Sequence, residues 1–215
     1  MRIVVFDLDD TLYKEIEFVY SGFYKISEFV GIPSVFEDLS DAYKKKVDAF
    51  ELIISKYNLK CNKSDLLKIY RKHKPTLVLL ESVRDTLLNL SKNCILGIVT
   101  DGRIVTQQNK IEALGLDKIF QEDNIIISEA YGSEKPALRN YTYFVNKYGG
   151  NNQFFYIGDN TTKDFISPNK LGWTTICIKD DGTNIHEQNF LSAKEFLPDV
   201  ILDSVEEVLD FIINK

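Results

Sequence analysis

Three carboxylates in four positions end an apolar run of strand length. Ile3-Val4-Val5-Phe6 gives way abruptly to Asp7-Leu8-Asp9-Asp10-Thr11. Val, Ile and Phe favour a pleated strand, and an unbroken apolar run suits one buried on both faces. Asp7 and Asp9 are two residues apart, so a continuing strand carries both on one side. Carboxylates held that close repel each other unless a cation or a shared proton intervenes. A buried strand that delivers such a pair points to a metal-dependent reaction site; the plainer reading is a strand followed by a polar turn.

The 215 residues suffice for one substantial core, or a core with a small accessory domain. A formal charge of −6 argues against general nucleic-acid binding, which leaves a basic footprint. Cys61, Cys94 and Cys177 are widely spaced, with no CxxC pair, so neither a zinc site nor a disulfide framework is expected. No apolar run reaches the roughly 18 residues that span a bilayer, and no signal peptide is read. A reducing cytoplasm, and a monomer or homodimer, are the expectations.

From Lys14 to about Lys74 the strand texture vanishes. Phe18, Phe23, Ile26 and Phe29 recur at helical spacing up to Gly31-Ile32-Pro33, and one longer helix is expected over 35–57. Asn62 or Ser64 can cap a third. Twelve Lys and Arg stand against nine Asp and Glu between Lys14 and Lys74, leaving the remainder strongly acidic. A mildly basic lid suits an anionic substrate, although lysines also simply solvate outer helix faces. The expected division is a core over 1–13 and 76–215, with a helical insertion over 14–75.

Beyond Pro75 apolar runs alternate with amphipathic helices: strands at Ile95–Val99, Ile125–Ile127, Phe154–Ile157 and Thr174–Ile178, with Val200–Leu202 a sixth. That alternation implies an α/β fold, a parallel sheet with helices on both faces. Ligands of such sheets lie beyond the carboxyl ends of the strands. Asp7 and Asp9, Thr100 and Asp101, Lys135, and Asp159 with Asp164 all follow strands, so they should converge. The carboxylates supply hard oxygen ligands for Mg²⁺, which often co-binds a substrate phosphate. Lys135, Thr100 and the backbone amides after it can grip phosphate oxygens. Carboxylates with a lysine and a threonine point to phosphoryl transfer.

Taken in order, Asp7-Leu8-Asp9-Asp10-Thr11, Thr100-Asp101-Gly102, Lys135-Pro136 and Gly158-Asp159-Asn160 with Asp164 resemble the four motifs of the haloacid dehalogenase-like (HAD) phosphohydrolase superfamily. Gly102-Arg103 with Lys110-Ile111-Glu112-Ala113-Leu114-Gly115-Leu116 also resembles the linker of its phosphatase members. The resemblance implies a three-layer α/β sandwich with a Rossmann-like sheet and a helical cap after the first motif. It implies a Mg²⁺-dependent phosphatase of small phosphate esters that works through an aspartyl-phosphate. In that scheme Asp7 is the nucleophile and Asp9 the general acid and base. The Asp7 carboxylate, the Asp9 carbonyl and Asp159 hold the metal, with Asp164 supporting. Thr100, the Asp101 and Gly102 amides, and Lys135 bind phosphate, and Thr11 secures the turn toward the cap. Dehalogenase members lack an aspartate at the Asp9 position, which favours phosphoryl transfer here. A sugar-phosphate mutase is the runner-up, and a non-catalytic HAD-fold binding protein the alternative of another class. Asp101 stands where asparagine is common, and Pro168 where a helix usually continues. Asp10 is expected to point away from the site and to be dispensable, Arg103 to sit in a surface salt bridge, and His73 and His186 to lie at the surface.

Overall fold

The computed structural model describes residues 1–214. Its spine is a six-stranded parallel sheet, ordered β3-β2-β1-β4-β5-β6. The strands are β1 (Arg2–Phe6), β2 (Cys94–Thr100), β3 (Ile125–Ile127), β4 (Gln153–Gly158), β5 (Thr174–Ile178) and β6 (Val200–Leu202). Each β1 side chain beyond Arg2 is buried because the strand is central and covered on both faces. Val4 and Phe6 join Ile98, Ile157, Leu87 and Ile212 on one side. Ile3 and Val5 join Val99, Tyr156, Tyr141 and Phe144 on the other. The period of two in a strand divides one apolar run between two cores.

Helices cover these faces. α5 (Glu81–Ser91), α6 (Ile104–Leu114) and α10 (Glu206–Ile213) supply the first core; α8 (Arg139–Tyr148) supplies the second. The short α7 (Ser128–Tyr131) and α9 (Ile166–Lys170) complete the connections. Gly115 ends α6 in a left-handed cap, as the sequence predicts. Pro168 sits inside α9, which is only five residues long and starts late, at Ile166.

Between β1 and α5 the chain forms four helices: α1 (Glu15–Val30), α2 (Ser34–Lys44), α3 (Ala49–Tyr57) and α4 (Lys63–Lys72). They enclose their own apolar cluster of Val19, Phe23, Ile26, Val35, Leu39, Ile53 and Leu66. α1 has a second allegiance, since Phe18 packs into the sheet's first core. The single long helix expected over 35–57 is two. Lys46 takes a left-handed φ of 54°, and its amide and that of Val47 close on Tyr43 and Ala42. Asp48 then caps α3 by accepting from the Glu51 amide at 3.2 Å. The local side-chain bond outcompetes helix continuation. Asn62 caps α4 in a reciprocal box with Asp65. Among the described residues no helix is long and apolar enough to cross a membrane.

Candidate active site

The chain leaves β1 toward one edge through β2 and β3, and toward the other through β4, β5 and β6. The reversal falls between β1 and β4, where a crevice opens beyond the carboxyl ends of the strands. β1 ends at Phe6 and β4 at Gly158, and the Asp7 amide donates to the Ile157 carbonyl at 2.8 Å. Asp7 and Asp159 are thereby set side by side. Asp7, Asp9, Thr100, Asp101, Lys135 and Asp159 all line one cavity of about 160 Å³. A larger groove of about 1490 Å³, lined by Trp173, Pro198 and Val200, opens at the opposite ends of β5 and β6, away from these residues.

Oxygens of Asp7, Asp159 and Asp164 lie within 4.8 Å of one another, and all three residues are buried. Lys135 Nζ sits 2.8 Å from Asp7 Oδ1 and 2.8 Å from Asp164 Oδ1. One ammonium cannot balance three buried carboxylates. Burial pushes Asp7 up to about 7, with Lys135 opposing and Asp164 adding to the rise. Burial, then Asp164 and Asp7, pushes Asp159 up to about 9. Burial weighs against the Lys135 ammonium, but Asp164 and Asp7 outweigh it and hold its proton more tightly than usual. The uncompensated charge and the all-oxygen donor set suit a hard divalent cation.

Asp164 is fully enclosed and its carboxylate is already committed. Its Oδ2 accepts from the amides of Asp159 at 3.2 Å and Asn160 at 2.9 Å, while Oδ1 forms the ion pair with Lys135. It folds directly over Gly158, where an added Cβ would lie 2.4 Å from Asp164 Oδ2. Thr11 is buried, and its hydroxyl reaches Asp159 Oδ1 at 3.4 Å rather than bonding toward the inserted helices.

The phosphate-loop residues divide. Thr100 and Asp101 face the cavity. The Asp101 carboxylate accepts from the Lys135 amide at 3.0 Å and from Lys163 Nζ at 2.8 Å, bracing the two loops together. The Gly102 amide donates to Ser128 Oγ at 2.9 Å. Arg103 pairs at 3.6 Å with Glu129 on the surface.

Asp9 is the most heavily bonded carboxylate in the cavity. Oδ1 accepts from Tyr13 Oη at 2.5 Å and Lys110 Nζ at 2.7 Å, and Oδ2 from Gln107 Nε2 at 2.9 Å. Burial pushes its carboxyl up, but Lys110, Tyr13 and Gln107 outweigh burial and hold it below the usual carboxylate range. Glu15, at the start of α1, also lines the cavity, and burial with Asp9 pushes it up to about 8.

Two expectations are overturned. Asp10 does not point away along an extended chain. Its backbone turns left-handed, φ 56°, and carries the buried carboxylate back onto two amides, Glu15 at 2.9 Å and Ile185 at 2.8 Å. His73 is buried, its Nδ1 2.6 Å from the Tyr70 carbonyl and its ring 4.7 Å from that of Phe18, because it closes α4 against α1. His186 is exposed as expected, yet it lines the cavity. It rides on a segment that the sequence did not single out. Lys14 Nζ bonds Asp181 and Asn184 there, Asn184 Nδ2 reaches Asp159 Oδ2 at 3.2 Å, and Gln188 reaches the Asp159 carbonyl at 2.9 Å.

The model of the haloacid dehalogenase-like hydrolase family matches residues 4–178, and the chain belongs to that family. The glyceraldehyde 3-phosphate phosphatase of Methanocaldococcus jannaschii is 26% identical, over 98% of this chain and 96% of that protein. The magnesium-bound HAD-hydrolase YfnB of Bacillus subtilis superposes with a TM-score of 0.72 at 21% identity, over 98% of each chain. The L-2-haloacid dehalogenase of Xanthobacter autotrophicus superposes with a TM-score of 0.66 at 14% identity, over 99% and 98%. Both structural likenesses speak to fold alone.

Proposed function

We propose that this haloacid dehalogenase-like hydrolase is a Mg²⁺-dependent phosphatase of small phosphate monoesters, with a triose phosphate as its substrate. The observation that carries this reading is Asp9: a carboxylate two residues beyond Asp7, held in the same cavity as Thr100 and Lys135. Carbon–halogen hydrolysis needs no such acid, whereas release of an alkoxide from phosphorus does. The substrate comes from the relatives' name, and a cavity of about 160 Å³ is in keeping with a phosphate bearing a short carbon chain.

The chemistry follows from the placement of the groups. Lys135 and Thr100 hold the phosphoryl oxygens, and Lys135 offsets charge that would otherwise repel Asp7. The Asp7 carboxylate attacks phosphorus in line, forming an acyl phosphate as the bond to the leaving oxygen breaks. Asp9, which takes up a proton once the bound phosphoryl anion lies beside it, delivers that proton to the leaving oxygen. It then takes a proton from the water that attacks phosphorus and frees Asp7. Asp7, the Asp9 carbonyl and Asp159 would hold Mg²⁺, which lowers the cost of bringing an anionic nucleophile to an anionic ester. Asp164, ion-paired with Lys135 and bonded by two amides, serves as their support. Helices α1 to α4, over residues 14–75, act as the cap that closes over the leaving group, with 1–13 and 76–215 as the core.

The test is release of phosphate from glyceraldehyde 3-phosphate and p-nitrophenyl phosphate with Mg²⁺. Activity should vanish with a chelator and in Asp7→Asn. An isomerised product without free phosphate, or full activity in Asp7→Asn, would sink the reading.

A further inference from the structure

We propose that Gln107 and Lys110, one turn apart on α6, are positioning residues. Together they hold the Asp9 carboxylate and the Thr100 hydroxyl in their reacting orientations. The inference rests on the phosphatase reading and adds residues to it that touch no substrate.

Gln107 has 1% of its surface exposed, and its Nε2 bonds two partners, Asp9 Oδ2 at 2.9 Å and Thr100 Oγ1 at 2.5 Å. An amide nitrogen carries two protons, so both are used. Asp9 as a carboxylate can only accept, which fixes the amide's orientation. Thr100 Oγ1 therefore accepts from Gln107, and its own single proton is left to point at a phosphate oxygen. One side chain thus sets the direction of the acid–base group and the polarity of the phosphate hydroxyl.

The fold keeps Gln107 still. Its Cγ and Cδ lie 3.1 Å from where a Cβ on residue 102 would stand, and Gly102 has a φ of +145°. The glycine clears the space into which Gln107 folds beneath the phosphate loop. Lys110 has 2% of its surface exposed, lies 4.4 Å from the Phe18 ring centroid, and meets Asp9 at 2.7 Å and Glu15 at 3.7 Å. A buried ammonium carries a large desolvation cost that an apolar side chain of the same length avoids. Here its nearest partner is the acid–base carboxylate. With Tyr13, three donors grip Asp9 from one helix and the hinge. A misplacement of about 1 Å at such a group can cost on the order of a hundredfold in rate.

Three variants test this: Gln107→Leu, Lys110→Met and Tyr13→Phe. Each is assayed on two substrates of opposite demand. p-Nitrophenolate leaves without a proton, whereas the alkoxide of glycerol 3-phosphate needs one. Gln107→Leu should lower kcat on glycerol 3-phosphate by about 100-fold and on p-nitrophenyl phosphate by about tenfold, with KM within about threefold. Lys110→Met and Tyr13→Phe should show the same substrate bias, and Tyr13→Phe, which removes one O–H, keeps the test alive if a helix variant does not fold. In an Asp9→Asn background the further loss from Gln107→Leu on glycerol 3-phosphate should shrink from about 100-fold to about tenfold, the share that acts through Thr100. Equal losses on both substrates, losses carried by KM, or full additivity with Asp9→Asn would overturn the proposal. A wild-type protein that releases no phosphate from either substrate or from glyceraldehyde 3-phosphate would instead sink the phosphatase reading.

Discussion

Replacing Asp10 with alanine removes two buried acceptors at once. Oδ1 takes the Glu15 amide, at the first turn of α1, and Oδ2 takes the Ile185 amide in the segment that follows β5. Each orphaned buried amide costs about 1–3 kcal/mol. Alanine must also adopt the left-handed φ of 56°, which aspartate tolerates better, at about 1 kcal/mol more. Burial raises the Asp10 carboxyl, and ionising it there returns part of this gain. The net expectation is a loss of about 3–5 kcal/mol, and in a domain of this size each kcal/mol lowers Tm by about 2–4 °C. Asp10→Asn keeps one acceptor and should lose about half as much. Urea unfolding followed by circular dichroism, with a thermal melt beside it, measures both. An Asp10→Ala protein that melts within about 2 °C of the parent would refute the reasoning.

Other outcomes follow from the buried charges. Asp7 and Asp159 keep protons in the folded, metal-free protein up to about pH 7 and 9, whereas the unfolded chain releases them near 3.8. The folded state therefore binds more protons across that window, and its stability falls as pH rises, by up to about 1.4 kcal/mol per unit for each retained proton. Mg²⁺ should flatten the slope; urea midpoints at several pH values with and without the ion check it, and a level metal-free profile would contradict it. Lys135→Met strands Asp7 and Asp164 and should cost about 3–5 kcal/mol in denaturant midpoint as well as abolishing turnover. Gly158→Ala puts a methyl where Asp164 Oδ2 lies and should cost at least about 2 kcal/mol by the same measurement, with no compensation from the added Cβ.

The strand ends were legible because each pairs an apolar run with a polar stop. Asp7, Thr100 and Asp159 fall where that pattern places them, and the parallel topology requires them to meet. The residues that grip Asp9 were not legible as such. Gln107 and Lys110 fall in an ordinary helical stretch, where polar side chains normally face water; only the packing of α6 against Phe18 and the phosphate loop turns them inward. Asp10 was misplaced because an extended chain alternates sides, and a single left-handed residue breaks that alternation. The break between α2 and α3 turned on Asp48, whose side chain offers the backbone a competing bond that apolar periodicity does not register. Asn184 and Gln188 approach Asp159 from a segment without regular structure, so no period announced them.

The claim that everything else depends on is that Asp7 becomes covalently phosphorylated. Protein mixed with excess glyceraldehyde 3-phosphate and Mg²⁺, quenched in acid within one turnover and reduced with borohydride, converts an aspartyl phosphate into homoserine. Peptide mass spectrometry should find homoserine at position 7 in the presence of substrate, none without it, and none in Asp7→Asn. Turnover with position 7 unmodified, or homoserine at another aspartate, would contradict the account.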